Sequence, residues 1–133
     1  VYGISTSGRG TFEQYYGRLY PSREPLANAN YAYDAVVSAA LAVDQAGSTD
    51  GPTINAAMTR VTNPPGTECS EYATCLRLLR TGTKIKYAGA SGSLVYNQYH
   101  NVFGRFGALR VDAQGRLQWV AVMSEEELAA AAP

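Results

Sequence analysis

Cys69, Cys75 and His100 are the residues of this chain with the most distinctive chemistry. They are its two cysteines and its one histidine, and the spacing between them is not that of a zinc site, so we predict no metal centre. The two cysteines cannot bridge within one continuous helix, because their Cα atoms would lie about 9 Å apart, beyond the roughly 7 Å limit. We therefore predict a disulfide, with Cys69 preceding the helix that carries Cys75; two unrelated buried thiols are the alternative. A disulfide would indicate an exported protein.

Catalytic residues are not predicted anywhere in this sequence. His100 is the only histidine available as a base, it lies in a polar loop, and no nucleophile-elbow motif accompanies it, so an exposed loop histidine is the simpler interpretation. The segment Gly89-Ala90-Ser91-Gly92 lacks the lysine and the following helix of a phosphate-binding loop. We therefore predict neither an enzyme nor a cofactor.

Composition limits the class of protein. The chain has 133 residues, 46% hydrophobic and 17% charged, with eleven basic residues against eleven acidic ones. This length suits one domain, and so much apolar residue with so little charge excludes a disordered chain. The balanced charge argues against a nucleic-acid partner, and no apolar run approaches the roughly 20 residues needed to cross a bilayer.

The elements that must position these residues alternate between helical and strand patterns. Helical spacing predicts helices over residues 11–20, 34–46, 50–62 and 70–80, and an acidic-headed helical tail over 125–133. The second helix should bury one apolar face and end at Gly47; that face is formed by Ala35, Val36, Ala39, Ala40 and Val43. Alternation predicts strands over residues 26–32, 84–88, 94–96, 106–111 and 117–123, with a tight turn at 89–92 and a loop over 97–104.

Two motifs, taken in order, resemble a known family. Tyr31-Ala-Tyr-Asp-Ala-Val36 opens an alanine-rich helix, and after two further helices the chain reads Ile85-Lys-Tyr-Ala-Gly-Ala-Ser-Gly92. Over roughly residues 12–123 this resembles the C-terminal third of the type 1 periplasmic binding proteins, specifically the branched-chain amino-acid receptors of ABC importers. After the second motif, that family typically has Phe-Asp, any one residue, and then an Asn-Gly turn. This chain instead has Tyr96-Asn97 and, we predict, a longer loop through Asn101 and Gly104.

The resemblance implies a fold class of α/β, as part of a type 1 periplasmic-binding, Rossmann-like lobe with C-terminal β-strands. Residues 1–105 would belong to one lobe, and residues 106–133 would form crossover strands and a tail. Such a receptor closes two lobes on a small solute, such as a branched-chain or other amino acid, and delivers it to a membrane permease. It is exported, either to the periplasm or to the cell surface on a lipid anchor.

The resemblance also suggests where a ligand would bind. In that family an aromatic residue at the end of the strand corresponding to residues 26–32 lines the pocket. The ligand-binding candidates of this chain are therefore Asn28, Asn30 and Tyr31. The physical reason is that ligands of open α/β sheets lie beyond the carboxyl ends of the strands. Since the chain would supply only part of one wall of the cleft, we expect that it does not bind the ligand by itself. We also expect it to complete its sheet, either by forming a homo-oligomer or by remaining associated with the rest of a cleaved receptor.

Two other classes of function remain open at this point. A ligand-sensing domain of a receptor or regulator could use the same fold, because function lies in the site and not in the fold. A small hydrolase based on His100 would need a hydroxyl nucleophile and an orienting carboxylate within hydrogen-bond reach of the imidazole.

Overall fold

The protein is a mixed helix and strand structure, seen in a computed structural model that describes residues 2–6, 10–26 and 28–131. The helices are α1 (Gly10–Leu19), α2 (Ala29–Ala46), α3 (Gly51–Thr62), α4 (Tyr72–Arg80) and α5 (Glu125–Ala131). The strands are β1 (Tyr2–Thr6), β2 (Thr67–Cys69), β3 (Ile85–Gly89), β4 (Gly92–Ser93), β5 (Phe106–Val111) and β6 (Leu117–Met123). The coarse expectation of an α/β protein agrees with this order of elements. In the described part of the chain, no helix is both long enough and apolar enough to cross a membrane.

The strands form two separate three-stranded sheets. In the first sheet β3 pairs in parallel with β2 and antiparallel with β4. In the second sheet β5 lies between β1 and β6 and pairs antiparallel with both. The strand β1 was not predicted from the sequence, and it joins the start of the chain to residues near its end.

The core lies between β3 and the helices α2, α3 and α4. Ile85 and Tyr87 of β3 are fully buried, as their alternation with Lys84 and Lys86 predicts. The buried residues that pack with them come from all three helices and from β2: Val37, Leu41, Ala42, Ala57, Val61, Cys69 and Cys75. This sheet is therefore covered by helices, as expected for a parallel pair.

The predicted helix boundaries that rest on capping residues are confirmed. Gly47 follows α2 in the left-handed conformation, with φ 59°, and its N–H donates to Val43 O. Asp50 caps α3 by accepting a hydrogen bond from Thr53 N at 3.1 Å, and Pro52 lies in the first turn.

The disulfide between Cys69 and Cys75 is confirmed. Cys69 ends β2 and Cys75 lies in α4, which begins at Tyr72, so the two residues do not share a helix. Their Cα atoms are 5.5 Å apart, well within the range of a bridge. The bridge ties α4 to the end of the parallel strand pair.

The predicted strand over residues 26–32 is wrong. Residues 29–32 form the first turn of α2, after Asn28 in the left-handed conformation with φ 66°, and Ala27 lies outside the described residues. Backbone bonds from Tyr31 N and Ala32 N to Asn28 O close this first turn. The alternation of small apolar and polar residues was misleading, because Asn30 belongs to the buried stripe that continues along α2.

The predicted apolar face of α2 is also wrong. Val36 is 70% exposed, and Ala35, Ala39 and Val43 are exposed too. The buried face contains Val37 and Leu41, together with the polar residues Asn30, Asp34 and Ser38. Polar side chains can occupy this face because they find partners there; for example, Ser38 Oγ donates to Asp34 O at 2.7 Å.

Two five-residue turns in the C-terminal half have the same hydrogen bonds. Asn97 Oδ1 accepts from the N–H groups two and four residues later, and Asp112 Oδ1 does the same. The fourth residue of each turn is left-handed: His100 has φ 59° and Gly115 has φ 77°. The turn over 97–101 is closed by a bridge between Tyr96 and Val102, outside any strand.

These turns bear on two predictions. Residues 97–104 contain no helix or strand, as predicted, and a turn within them closes at Asn101. No strand covers residues 94–96, and the strand paired with β3 is β4 instead. Asn63 holds this segment, since its side chain exchanges hydrogen bonds of 2.8 and 2.9 Å with the backbone of Tyr96. The strands at 106–111 and 117–123 are confirmed at the predicted boundaries.

Candidate functional site

Asp34 is the centre of a buried polar cluster where β3 ends. It lies on α2, is 1% exposed, and accepts hydrogen bonds from two side chains and two backbone amides. Tyr87 Oη donates to Oδ1 at 2.7 Å and Ala90 N donates to the same oxygen at 2.8 Å. Ser91 donates twice to Oδ2, from N at 2.6 Å and from Oγ at 2.5 Å. Burying a carboxylate is costly without such partners, and these four donors offset that cost.

The tight turn between β3 and β4 has the composition needed to surround a carboxylate. Gly89 pairs with Gly92 across the turn, so the amides of Ala90 and Ser91 point to Asp34. A Cβ atom on Gly89 would overlap the Asp34 carboxyl group, and glycine therefore permits the close approach. The turn works as a cradle for a carboxylate of the protein's own helix, not for a phosphate.

Tyr87 acts as a fixed donor in this cluster. Burial, and then its hydrogen bond to Asp34, raise the pKa of its hydroxyl well above the ordinary value for tyrosine. The hydroxyl therefore stays protonated and keeps its proton on the side of Asp34.

Tyr31 lies beside the Asp34 cluster, one turn earlier on α2. Its side chain is half-buried, and its hydroxyl is buried with no hydrogen-bond partner among the described residues. Burial raises the pKa of this hydroxyl, and the negative charges of Glu125 and Asp34 raise it further. The hydroxyl faces Gly104, where a Cβ atom would lie 2.8 Å from it.

Glu125 brings the C-terminal helix α5 to the same place. Its Oε1 accepts a hydrogen bond from Ser93 N at 3.2 Å and lies against Gly92. The carboxyl end of β3 is therefore surrounded by α2, by the β3–β4 turn and by the first residue of α5.

The three ligand-binding candidates lie at the start of α2, Asn28 just before the helix and the other two in its first turn, and not at the end of a strand. Asn28 is exposed, Asn30 is buried, and Tyr31 is the candidate beside Asp34 and Glu125. No strand end therefore places these residues in a pocket, because residues 29–32 are helical. Because α2 begins at the edge of the first sheet where β3 ends, Tyr31 still lies at the carboxyl edge of that sheet.

Sequence reasoning missed the partnership between Asp34 and the residues around it. Both motifs were recognised, Asp34 in the first and Ser91 in the second, but nothing in the sequence joined them. A usable signal was the lone carboxylate on a helix face that also carries Val37 and Leu41, since a buried charge requires donors from elsewhere.

Other chemistry is sparse in the described part of the chain. No group of three or more histidine, cysteine, aspartate or glutamate residues in ranges 2–6, 10–26 and 28–131 could hold a metal ion. His100 is exposed, as expected for a loop histidine, and its ring lies 6.4 Å from that of Tyr96.

Comparison with known proteins does not add a relative. No protein-family model matches this chain, and neither the curated proteins nor the solved structures contain a match to it.

Proposed function

We propose that this chain is part of the extracellular solute-binding component of an ABC importer, of the type 1 periplasmic binding class. The main support is that the two motifs behind the resemblance form one structural unit. Asp34 of the first motif accepts three hydrogen bonds from Ala90 and Ser91 of the second, although 56 and 57 positions separate the partners. A chance likeness of two short segments gives no reason for such contact.

The division of the chain into two sheets gives further support. The sheet around β3 lies among helices and suits a lobe over residues 1–105, while β5 and β6 suit crossover strands over 106–133. The pairing of β1 with β5 adds residues 2–6 to this second unit.

The ligand would be a small solute such as a branched-chain or other amino acid, held between this lobe and a second one. Tyr31 is the strongest of the three contact candidates, because its hydroxyl lies at the carboxyl edge of β3 without a partner among the described residues. The Asp34 cluster would act as a positioning unit that fixes α2 against β3. A membrane permease would be the protein partner, and the disulfide suits the exported location.

The proposal is tested by titrating the complete receptor with amino acids. The sequence of that receptor is obtained by extending the gene upstream of Val1. Calorimetry with a panel of amino acids should give a micromolar dissociation constant for at least one of them. Tyr31→Phe should weaken binding by about tenfold, the effect of one lost hydrogen bond to a ligand, whereas Tyr99→Phe, at a position 73% exposed in the 97–101 turn, should not.

Two results would contradict this proposal. An upstream sequence that encodes no second α/β lobe would exclude a two-lobed receptor. Micromolar binding by the 133-residue chain alone would show that one wall suffices, whereas a cleft normally encloses most of its ligand.

A further inference from the structure

Strand β6 is an open edge with an unusual composition. It reads Leu-Gln-Trp-Val-Ala-Val-Met, and all seven residues are exposed, including Leu117 at 67% and Trp119 at 53%. One edge pairs with β5, and no strand among residues 2–6, 10–26 and 28–131 pairs with the other. Proteins usually protect such an edge with charge, proline or a cover.

The edge of the first sheet is protected in the usual way. Strand β2 has three residues, and its Glu68 carboxylate pairs with Lys86 Nζ at 3.2 Å. Strand β6 has neither a charged residue nor a proline. Strand β6 does contain a bulge at Val120, because this residue faces no residue of β5. A bulge twists the strand but adds no charge to its edge.

We propose that the outer edge of β6 pairs antiparallel with β6 of a second copy of this chain. The charges at the ends of the strand select this direction. Arg116 precedes β6 with a side chain 71% exposed and an Nε that pairs with Asp112 Oδ2 at 2.9 Å; Arg110, at the same end of the neighbouring β5, is exposed, so this end keeps a positive charge. The acidic start of α5 follows the strand, where Glu126 is exposed. An antiparallel pair sets the basic end of each strand beside the acidic end of the other, while a parallel pair would set acid beside acid.

The apolar surface beside this edge would be covered in the same dimer. Phe106, Ala108, Met123 and Leu128 line a groove of about 470 Å³ between β5, β6 and α5. The same patch would meet its own copy across a two-fold axis, as in most homodimers. This inference concerns the 133-residue chain by itself, without the rest of the receptor proposed above.

Sedimentation velocity on the 133-residue chain tests the proposal. At high micromolar concentration the wild type should sediment as a dimer, with an apparent mass twice the 14.2 kDa of the chain. Val120→Lys should raise the dimer dissociation constant at least about tenfold, because lysine on an edge opposes strand pairing. The matched control is Val36→Lys on α2, at a position 70% exposed, which should leave the constant unchanged.

A second variant keeps the test decisive if Val120→Lys disturbs the sheet. Glu126→Lys lies on α5, outside the strand, and should also weaken the dimer, with the wild-type dimer losing affinity as salt is added. A wild type that stays monomeric, a dimer that survives both Val120→Lys and Glu126→Lys, or a dimer broken by Val36→Lys would each overturn the proposal. Circular dichroism of each variant distinguishes dissociation from unfolding.

Discussion

The two three-stranded sheets of this protein differ in what covers them. Along β3 four of five residues are buried, whereas along β6 every residue is exposed. Yet β6 is the more continuously apolar of the two strands. The difference shows that an apolar sequence is not sufficient for burial, which also needs helices placed on the strand by the rest of the chain.

Different interactions therefore hold the two regions. The first sheet is fixed by tertiary contacts of long sequence separation: the Asp34 cluster, the packing of α2, α3 and α4, and the disulfide. The β5–β6 hairpin is fixed by its backbone ladder and by the local turn at 112–116. Substitutions should thus have large effects in the first region and small effects in the second.

The largest effect should come from Asp34→Ala. The change leaves Tyr87 Oη and two backbone amides buried without an acceptor, and should lower the free energy of unfolding by about 3 kcal/mol or more. Urea denaturation measures it. Asp44→Ala on the same helix is the control, since its carboxylate accepts one exposed hydrogen bond from Tyr72, and equal losses in the two variants would contradict the role given to Asp34.

Removal of the disulfide should have the next largest effect. Replacing both Cys69 and Cys75 by Ala frees a short loop in the unfolded chain and should lower the free energy of unfolding by about 2 kcal/mol. Denaturation of this double variant, compared with the wild type, provides the value. Non-reducing mass spectrometry of the wild type should show the bridge, and two free thiols would contradict it.

A matched pair of valine substitutions compares the regions directly. Val61→Thr buries a hydroxyl at a fully buried position of α3 and should cost about 1.5 kcal/mol. Val122→Thr lies on β6 at a position 47% exposed, and its cost should stay below about 0.5 kcal/mol. Thermal unfolding of both variants measures the two losses of stability. Equal losses would contradict the expectation that the first region is the more sensitive one.

The smallest effect concerns the two equivalent turns. His100 holds the left-handed conformation that Gly115 adopts in the other turn, so His100→Gly should relieve backbone strain and stabilise the protein by up to about 1 kcal/mol. The reciprocal Gly115→His should destabilise it by a similar amount. If both variants shift the melting temperature in the same direction, the turns are not equivalent.

Local chemistry was readable from the residues alone. Gly47 and Asp50 end and begin helices because a left-handed residue and a side-chain acceptor satisfy groups that every helix leaves unpaired. The alternation at Ile85 and Tyr87 predicts a buried strand, and the boundaries of β5 and β6 follow from the turn residues between them. Spacing also limited the disulfide to a geometry in which the two cysteines do not share a helix.

The tertiary structure decided which apolar faces are buried and which polar residues meet. It buries Asp34, because β3 and the β3–β4 turn together supply four hydrogen bonds to its carboxylate, and it leaves Val36 70% exposed on another side of α2. It also joins β1 to β5 across about a hundred residues. Neither outcome can be read from the sequence, since hydrophobic periodicity records what a helix could bury, while the donors and strands that it meets come from distant parts of the chain.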